Sequence, residues 1–291
     1  MDINYELYKV FYYVATTLSF SVASKQLYIS QSAVSQAVKT LEKKLGQTLF
    51  VRSTKKVRLT PEGEALLRHV EPAIHLIQRG EAQLIETAST GGQIHIAASD
   101  TICRYYLVPY LKRLHEEFPK AHIKVTNDTS IGCAELLEGG QVDLIVVNTP
   151  NSHLSNISHV RTIHTFHDRF IANEAFAHLK GQKLSYKELL KYPLLMLTKR
   201  STTSEFLHQA FQQRQLDLVP EIELTSNDLL IDLAKIGLGI ALVPDFCLPE
   251  EDDHLFEVET EESLPERHLA IAYNHNVPVS QLVSTFMGYF E

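Results

Sequence analysis

Val34, Val38, Leu41 and Leu45 recur at intervals of four, three and four residues. That spacing puts all four on one stripe of an α-helix and on no common face of a strand. Ser30 stands ahead of the stripe as an N-cap, so the sequence predicts a helix from Gln31 to about Leu45. Ser21–Leu27 reads as a shorter helix with Ala23 and Leu27 inward, and Tyr28, Ile29 and Ser30 leave only a three-residue turn between the two. Ala23 is small enough for the helices to cross closely. Such a pair, with a polar outer face on the second helix, is a helix-turn-helix.

The outer face carries Gln31, Ser32, Ser35, Gln36, Lys39 and Lys43. Ser and Gln both donate and accept hydrogen bonds, which reading base edges requires, and the lysines suit phosphates. A solvated helical hairpin would show the same apolar stripe, so charge bears on the choice. Residues 1–62 hold nine Lys and Arg against four acids, whereas the whole chain has a formal net charge of -8. A basic head on an acidic body points to a polyanionic partner. Gln47–Gly63 then places Arg52, Lys55, Lys56 and Arg58 around a turn between two short strand-like runs, Leu49–Val51 and Val57–Leu59. A basic hairpin directly after a recognition helix is a wing suited to the phosphate backbone.

Phe11, Ser19, Phe20, Ala23, Leu27, Ser30, Gln31, Ala33, Val34, Ser35, Leu41, Glu42, Leu45, Gly46, Leu49, Phe50, Arg52, Leu59, Thr60 and Gly63 follow one pattern without a gap. It resembles the amino-terminal pattern of LysR-type transcriptional regulators. Ser24 and Ser32 depart from it, standing where the family often has Ala and Pro. Further matches are ASDTI, YLVPYL, GGQVDLIVV and GLGIALVP. The resemblance implies an α/β protein with an N-terminal winged helix-turn-helix, a long linker helix and a two-subdomain, periplasmic-binding-protein-like effector domain. It implies no enzymatic activity. The partners it implies are double-stranded operator DNA, a small-molecule effector and further copies of the chain, as a dimer and a dimer-of-dimers tetramer. It leaves room for RNA polymerase as a further partner, and implies no membrane partner.

The expected divisions are a DNA-binding domain at 1–60, a linker helix at 61–88, a hinge at 89–92 and an effector domain at 93–291. Within the last, subdomain I takes 93–165 and 269–291, and subdomain II takes 166–268. Thr60 and Pro61 read as N-cap and first residue of the linker helix. Leu67, Val70, Ile74, Ile77 and Leu84 form a coiled-coil-like stripe, interrupted by Glu81, that the resemblance assigns to dimerisation. Pro72 inside it predicts a local kink or break.

From Gln93 onward strands and helices alternate, the signature of α/β units. Polar residues cluster at the predicted strand ends: Ser99, Asp100 and Thr101; Thr129 and Ser130; Asn148; Thr202 and Thr203 with Ser204, beside Lys199 and Arg200. Strand ends and helix N-termini converging on one cleft favour a small, anionic ligand. Thr101 is the leading candidate, its hydroxyl expected to face the cleft, and Lys199 and Arg200 are expected to offset the charge of Asp100. No cofactor is expected.

Three cysteines without a pairing pattern fit a reducing compartment. MDINYELYKV has no apolar core of a signal peptide, which favours a cytoplasmic protein. His153, His159, His164, His167 and His178 follow no ligand spacing, so no metal site is expected. Cys103 and Cys133 are expected to be buried and unreactive. The chain shows no nucleophile elbow and no phosphate-binding loop.

Overall fold

The computed structural model describes residues 3–52, 56–86, 91–154, 158–248 and 254–290. It divides into two compact units, Met1–Ile85 with Gly139–Gln141, and Glu86–Glu138 with Val142–Glu291.

The first unit opens with α1 (Tyr5–Thr17), α2 (Phe20–Leu27) and α3 (Gln31–Leu45). Ser19 and Ser30 cap α2 and α3, their hydroxyls accepting the Val22 and Ala33 N–H groups. Tyr28 and Gly46 end the same helices in the left-handed conformation, at φ 56° and 66°. Val34, Val38 and Leu41 have no exposed surface and pack with Phe11, Val14, Ala23 and Phe50 in one core.

Two short antiparallel strands follow, β1 (Phe50–Arg52) and β2 (Val57–Leu59). Glu42 on α3 accepts the Leu49 N–H at 2.8 Å and the Phe50 N–H at 3.3 Å, which fixes the wing to the recognition helix. At the wing's exit Thr60 Oγ1 donates to the Thr48 carbonyl and accepts the Gly63 N–H, capping α4 (Pro61–Glu86). That helix runs unbroken through Pro72, so of the kink or break expected there the break does not occur. The Pro costs one hydrogen bond, to the carbonyl of exposed Arg68, where water can replace the missing donor.

The second unit contains two five-stranded sheets. One has the order β4-β3-β5-β12-β6, from β3 (Gln93–Ala98), β4 (His122–Asn127), β5 (Leu144–Thr149), β6 (Ser158–Phe166) and β12 (Arg267–Asn274). The other has the order β11-β7-β10-β8-β9, from β7 (Asp168–Ala172), β8 (Leu194–Leu197), β9 (Ile222–Leu224), β10 (Ile240–Pro244) and β11 (Phe256–Glu257). β3 pairs in parallel with β4 and β5, and β8 pairs in parallel with β9 and β10. The chain crosses from the first sheet to the second at His167, between β6 and β7, and returns to the first as β12.

Helices cover both sheets. After β3 comes one helical stretch: α5 (Asp100–Ile102), a π turn (Cys103–Leu107) and α6 (Val108–Glu117). α7 (Ser130–Glu138) and α11 (Gln281–Gly288) also belong to the first subdomain; α8 (Tyr186–Leu189), α9 (Thr202–Gln212) and α10 (Asn227–Lys235) belong to the second. Each subdomain has its own apolar core, around Ile94, Leu114, Val146 and Phe286 in one and around Leu189, Leu207, Phe211 and Leu242 in the other.

Gly63 holds the wing against α4. A Cβ there would lie 2.2 Å from the Leu49 carbonyl oxygen, a backbone atom that cannot step aside. Gly63→Ala is therefore expected to destabilise the first unit by about 1–3 kcal/mol. Urea denaturation followed by circular dichroism checks this: the midpoint of the helical head should fall, with the slope unchanged.

Candidate functional site

Gln31, Ser32, Gln36, Lys39 and Lys43 are exposed on α3 and Ser35 is half-buried, opposite the buried Val34–Val38–Leu41 stripe. The capping hydroxyl of Ser30 also lies 2.9 Å from that of Ser32. Lys56 and Arg58 are exposed on the wing. Arg52 ends β1, with its side chain outside the described residues, and Lys55 lies outside them altogether. The exposed Gln, Ser, Lys and Arg side chains give this surface a polar, positively charged character suited to groove edges and phosphates.

The linker-helix stripe is divided by the structure. Val70 is buried in the core of its own head, with Leu67 and Ile74 packed against that core. Ile77 is 58% exposed and its neighbour Leu76 is 37% exposed. Periodicity could not separate these roles, because a stripe that faces the head continues smoothly into one that faces away. The side chain of Leu84 and residues 89–90 of the expected hinge lie outside the described residues, and Gly91 and Gly92 have φ of 80° and 92°.

In the second unit the candidate hydroxyls fall into two groups. Ser99 accepts the Ile102 N–H, Thr129 accepts the Gly132 N–H, and Ser130 accepts the Asn148 N–H at 3.0 Å. These three satisfy helix starts and a strand end. Asp100 is exposed.

The second group joins the subdomains. Thr101 is buried, and its hydroxyl accepts a 3.0 Å hydrogen bond from Asn227 Nδ2 at the start of α10. The hydroxyl thus bridges the two subdomains, with its own O–H still able to donate. One residue on, Asp228 accepts from the Tyr105 hydroxyl and lies 3.5 Å from Arg104. Burial first, and then the bond to the Asp228 carboxylate, push the Tyr105 hydroxyl up to about 12, so it stays a donor at neutral pH.

Thr202 and Thr203, at the start of α9, are buried as well. Both accept hydrogen bonds from Arg267, at 3.3 Å and 3.0 Å, and Arg267 also pairs with Asp168 at 2.8 Å. Arg267 and Asp168 are absent from the sequence-derived candidates. Lys199 and Arg200, the cations expected there, are exposed; the buried cation at this place is Arg267. Its partners are 64 to 99 positions away in the chain, and no local motif marks it.

Two family models match the chain. One, described as a bacterial regulatory helix-turn-helix protein of the lysR family, covers residues 5–64; the other, described as a LysR substrate binding domain, covers 87–291. The chain belongs to the LysR family. It is a LysR-type transcriptional regulator with an effector-binding domain, not an enzyme. The HTH-type transcriptional activator CmpR of Synechocystis sp. is 26% identical over 288 residues, 97% of this chain and 93% of that protein. Among solved structures, full-length CbnR complexed with its target DNA matches with a TM-score of 0.65 at 17% identity, over 99% of both chains. The regulatory domain of Synechocystis CcmR in complex with 2-PG matches with a TM-score of 0.62 at 19% identity, over 68% of this chain and 95% of that one.

The remaining chemistry is sparse. Among the described residues, no three His, Cys, Asp or Glu side chains group as metal ligands, and no helix is long and apolar enough to cross a membrane. Burial pushes the Cys103 thiol up to about 11 and the Cys133 thiol up to about 12; Cys247, also buried, is raised further. For Cys103 the rise from 9.0 to about 11 cuts the thiolate fraction at neutral pH by about a hundredfold. Iodoacetamide at pH 7.5 is therefore expected to label the folded protein very slowly and the urea-unfolded protein at once. Mass spectrometry checks this, and rapid labelling of Cys103 in the native state would contradict it.

Proposed function

We propose that this regulator reads operator DNA with the exposed face of α3. Gln31, Ser32, Ser35 and Gln36 meet base edges, while Lys39, Lys43, Arg52, Lys55, Lys56 and Arg58 meet phosphates. The observation that carries this is the division of α3 into a stripe with no exposed surface and an opposite face of exposed Gln, Ser and Lys. A helix used only as a scaffold has no need of that composition. Relatives named as transcriptional regulators, and a neighbour solved with its target DNA, support the reading.

In this reading residues 1–60 bind DNA, 61–88 link and dimerise, and 93–291 receive a small anionic effector between the two subdomains. The family model for a substrate binding domain supports the last role. So does the buried guanidinium of Arg267 beside the start of α9. The effector shifts DNA binding only through its differential affinity for two subdomain arrangements. The Thr101–Asn227 and Tyr105–Asp228 bonds are the contacts that any change of arrangement must break or preserve.

Gln36→Ala should cost about 1–3 kcal/mol on the cognate site and little on random DNA. Fluorescence anisotropy on both DNAs measures this, and an equal loss on the two would remove Gln36 from base reading.

Assembly is read from the exposed end of the stripe. Leu76 and Ile77 are offered to a second copy, whereas Val70 serves its own head. Ile77→Asp should leave the head folded, lower the mass seen by light scattering, and weaken operator binding through lost avidity. Ile74 is a poorer test site, because it packs against the head core. An unchanged mass for Ile77→Asp would reject this surface for dimerisation.

A further inference from the structure

Arg267 opens β12, and its side chain has no exposed surface. Its guanidinium lies over two aromatic rings, 5.3 Å from the centroid of Phe166 and 5.0 Å from that of Phe206. Its five N–H donors are only partly used. Nη1 donates to Asp168 Oδ2 and to Thr203 Oγ1, and Nη2 donates to Thr202 Oγ1.

The pair with Asp168 is a single contact, although a guanidinium and a carboxylate can make two parallel bonds. Arg267 Nε and Asp168 Oδ1 are both buried and lack a hydrogen bond. An unmet polar atom at such depth is costly, most of all on a charged group. The cluster also sits where the subdomains meet. Asp168 opens β7 and Arg267 opens β12, the strands entered at the two crossings between the sheets, and the threonines open α9. Asp168 lies on the wall of a cavity of about 340 Å³ shared with Arg169, Glu257, Thr260 and Ser263.

We propose that Arg267 is the anchor for a planar carboxylate of the effector, and that Asp168 is a built-in carboxylate holding that anchor until the effector replaces it. This rests on the effector-cleft reading above and names the cation of that cleft. An incoming carboxylate enters in the plane of the guanidinium, makes the paired bonds that Asp168 does not, and keeps the Thr202 and Thr203 hydroxyls as neighbours. Asp168, displaced, has the adjoining cavity to turn into. Affinity is then set by competition: the effector gains only the difference between its own contact and that of Asp168.

The test uses the full-length protein, with acetate, succinate and inorganic phosphate as probes, followed by thermal shift and calorimetry. Asp168→Asn leaves a buried cation without its counter-charge, so it should be less stable than wild type in chloride buffer. Succinate and acetate should restore it and bind at least tenfold more tightly than to wild type. If Asp168→Asn does not fold in chloride alone, its refolding on addition of succinate, read by circular dichroism, is the expected result, and no recovery overturns the proposal. Asp168→Asn combined with Arg267→Met removes both charges at similar volume; it should fold and respond to none of the probes.

Phosphate binding to Asp168→Asn as tightly as succinate overturns the carboxylate assignment. Carboxylate binding no tighter in Asp168→Asn than in wild type, or retained in the double variant, overturns the role of Arg267. A response retained in the double variant but lost in Thr101→Val leaves the cleft reading standing without Arg267. A response retained in both places the site outside the cleft and overturns both readings.

Discussion

The arrangement of the sensing unit depends on the pairing of β12. This strand arrives after the chain has built the whole second sheet, and inserts between β5 and β6 of the first. Its pairs with β5, from His268–Thr149 to Tyr273–Leu144, are antiparallel, so it runs against the parallel direction set by β3, β4 and β5. The first sheet is therefore incomplete until the second exists, and the first subdomain is built from two separate stretches of chain with the second inserted between them. One consequence is positional. The residue that begins β12 must lie where the chain passes between subdomains, and that residue is Arg267.

The same division of labour governs the head. Apolar residues spaced for a helix bury one side of α3, and its other side is left to polar residues. Glu42 spends its carboxylate on two backbone N–H groups at the start of the wing, so wing and recognition helix move as one piece. A rigid pair of reading elements lowers the ordering cost when both engage DNA.

Local features were legible in the sequence. The spacing of Val34, Val38, Leu41 and Leu45, with Ser30 before them, marks α3 from Gln31 to about Leu45, where the structure has it. Strand β6 went unread because SHVRTIHTF mixes histidines and an arginine into its alternation, as an edge strand exposed along one side can. The linker stripe was legible as a stripe, but not as two surfaces, because periodicity states which residues share a face and not what covers it. At the cleft the hydroxyls could be listed from strand ends, yet their partners could not: Asn227 is 126 positions from Thr101, and Asp168 is 99 from Arg267. Such pairings are properties of the tertiary fold and leave no mark on neighbouring residues.

The exposed face of α3 is proposed to read a defined DNA sequence for a regulator that acts as a symmetric assembly. The most direct measurement is selection of bound fragments by the full-length protein, from a random duplex library and from its own genome, followed by nuclease footprinting of the fragments recovered. One enriched motif is expected, with two-fold related halves about one or two helical turns apart, protected on one face of the duplex. Recovery of fragments with no common sequence, bound with an affinity that depends on salt alone, would contradict it.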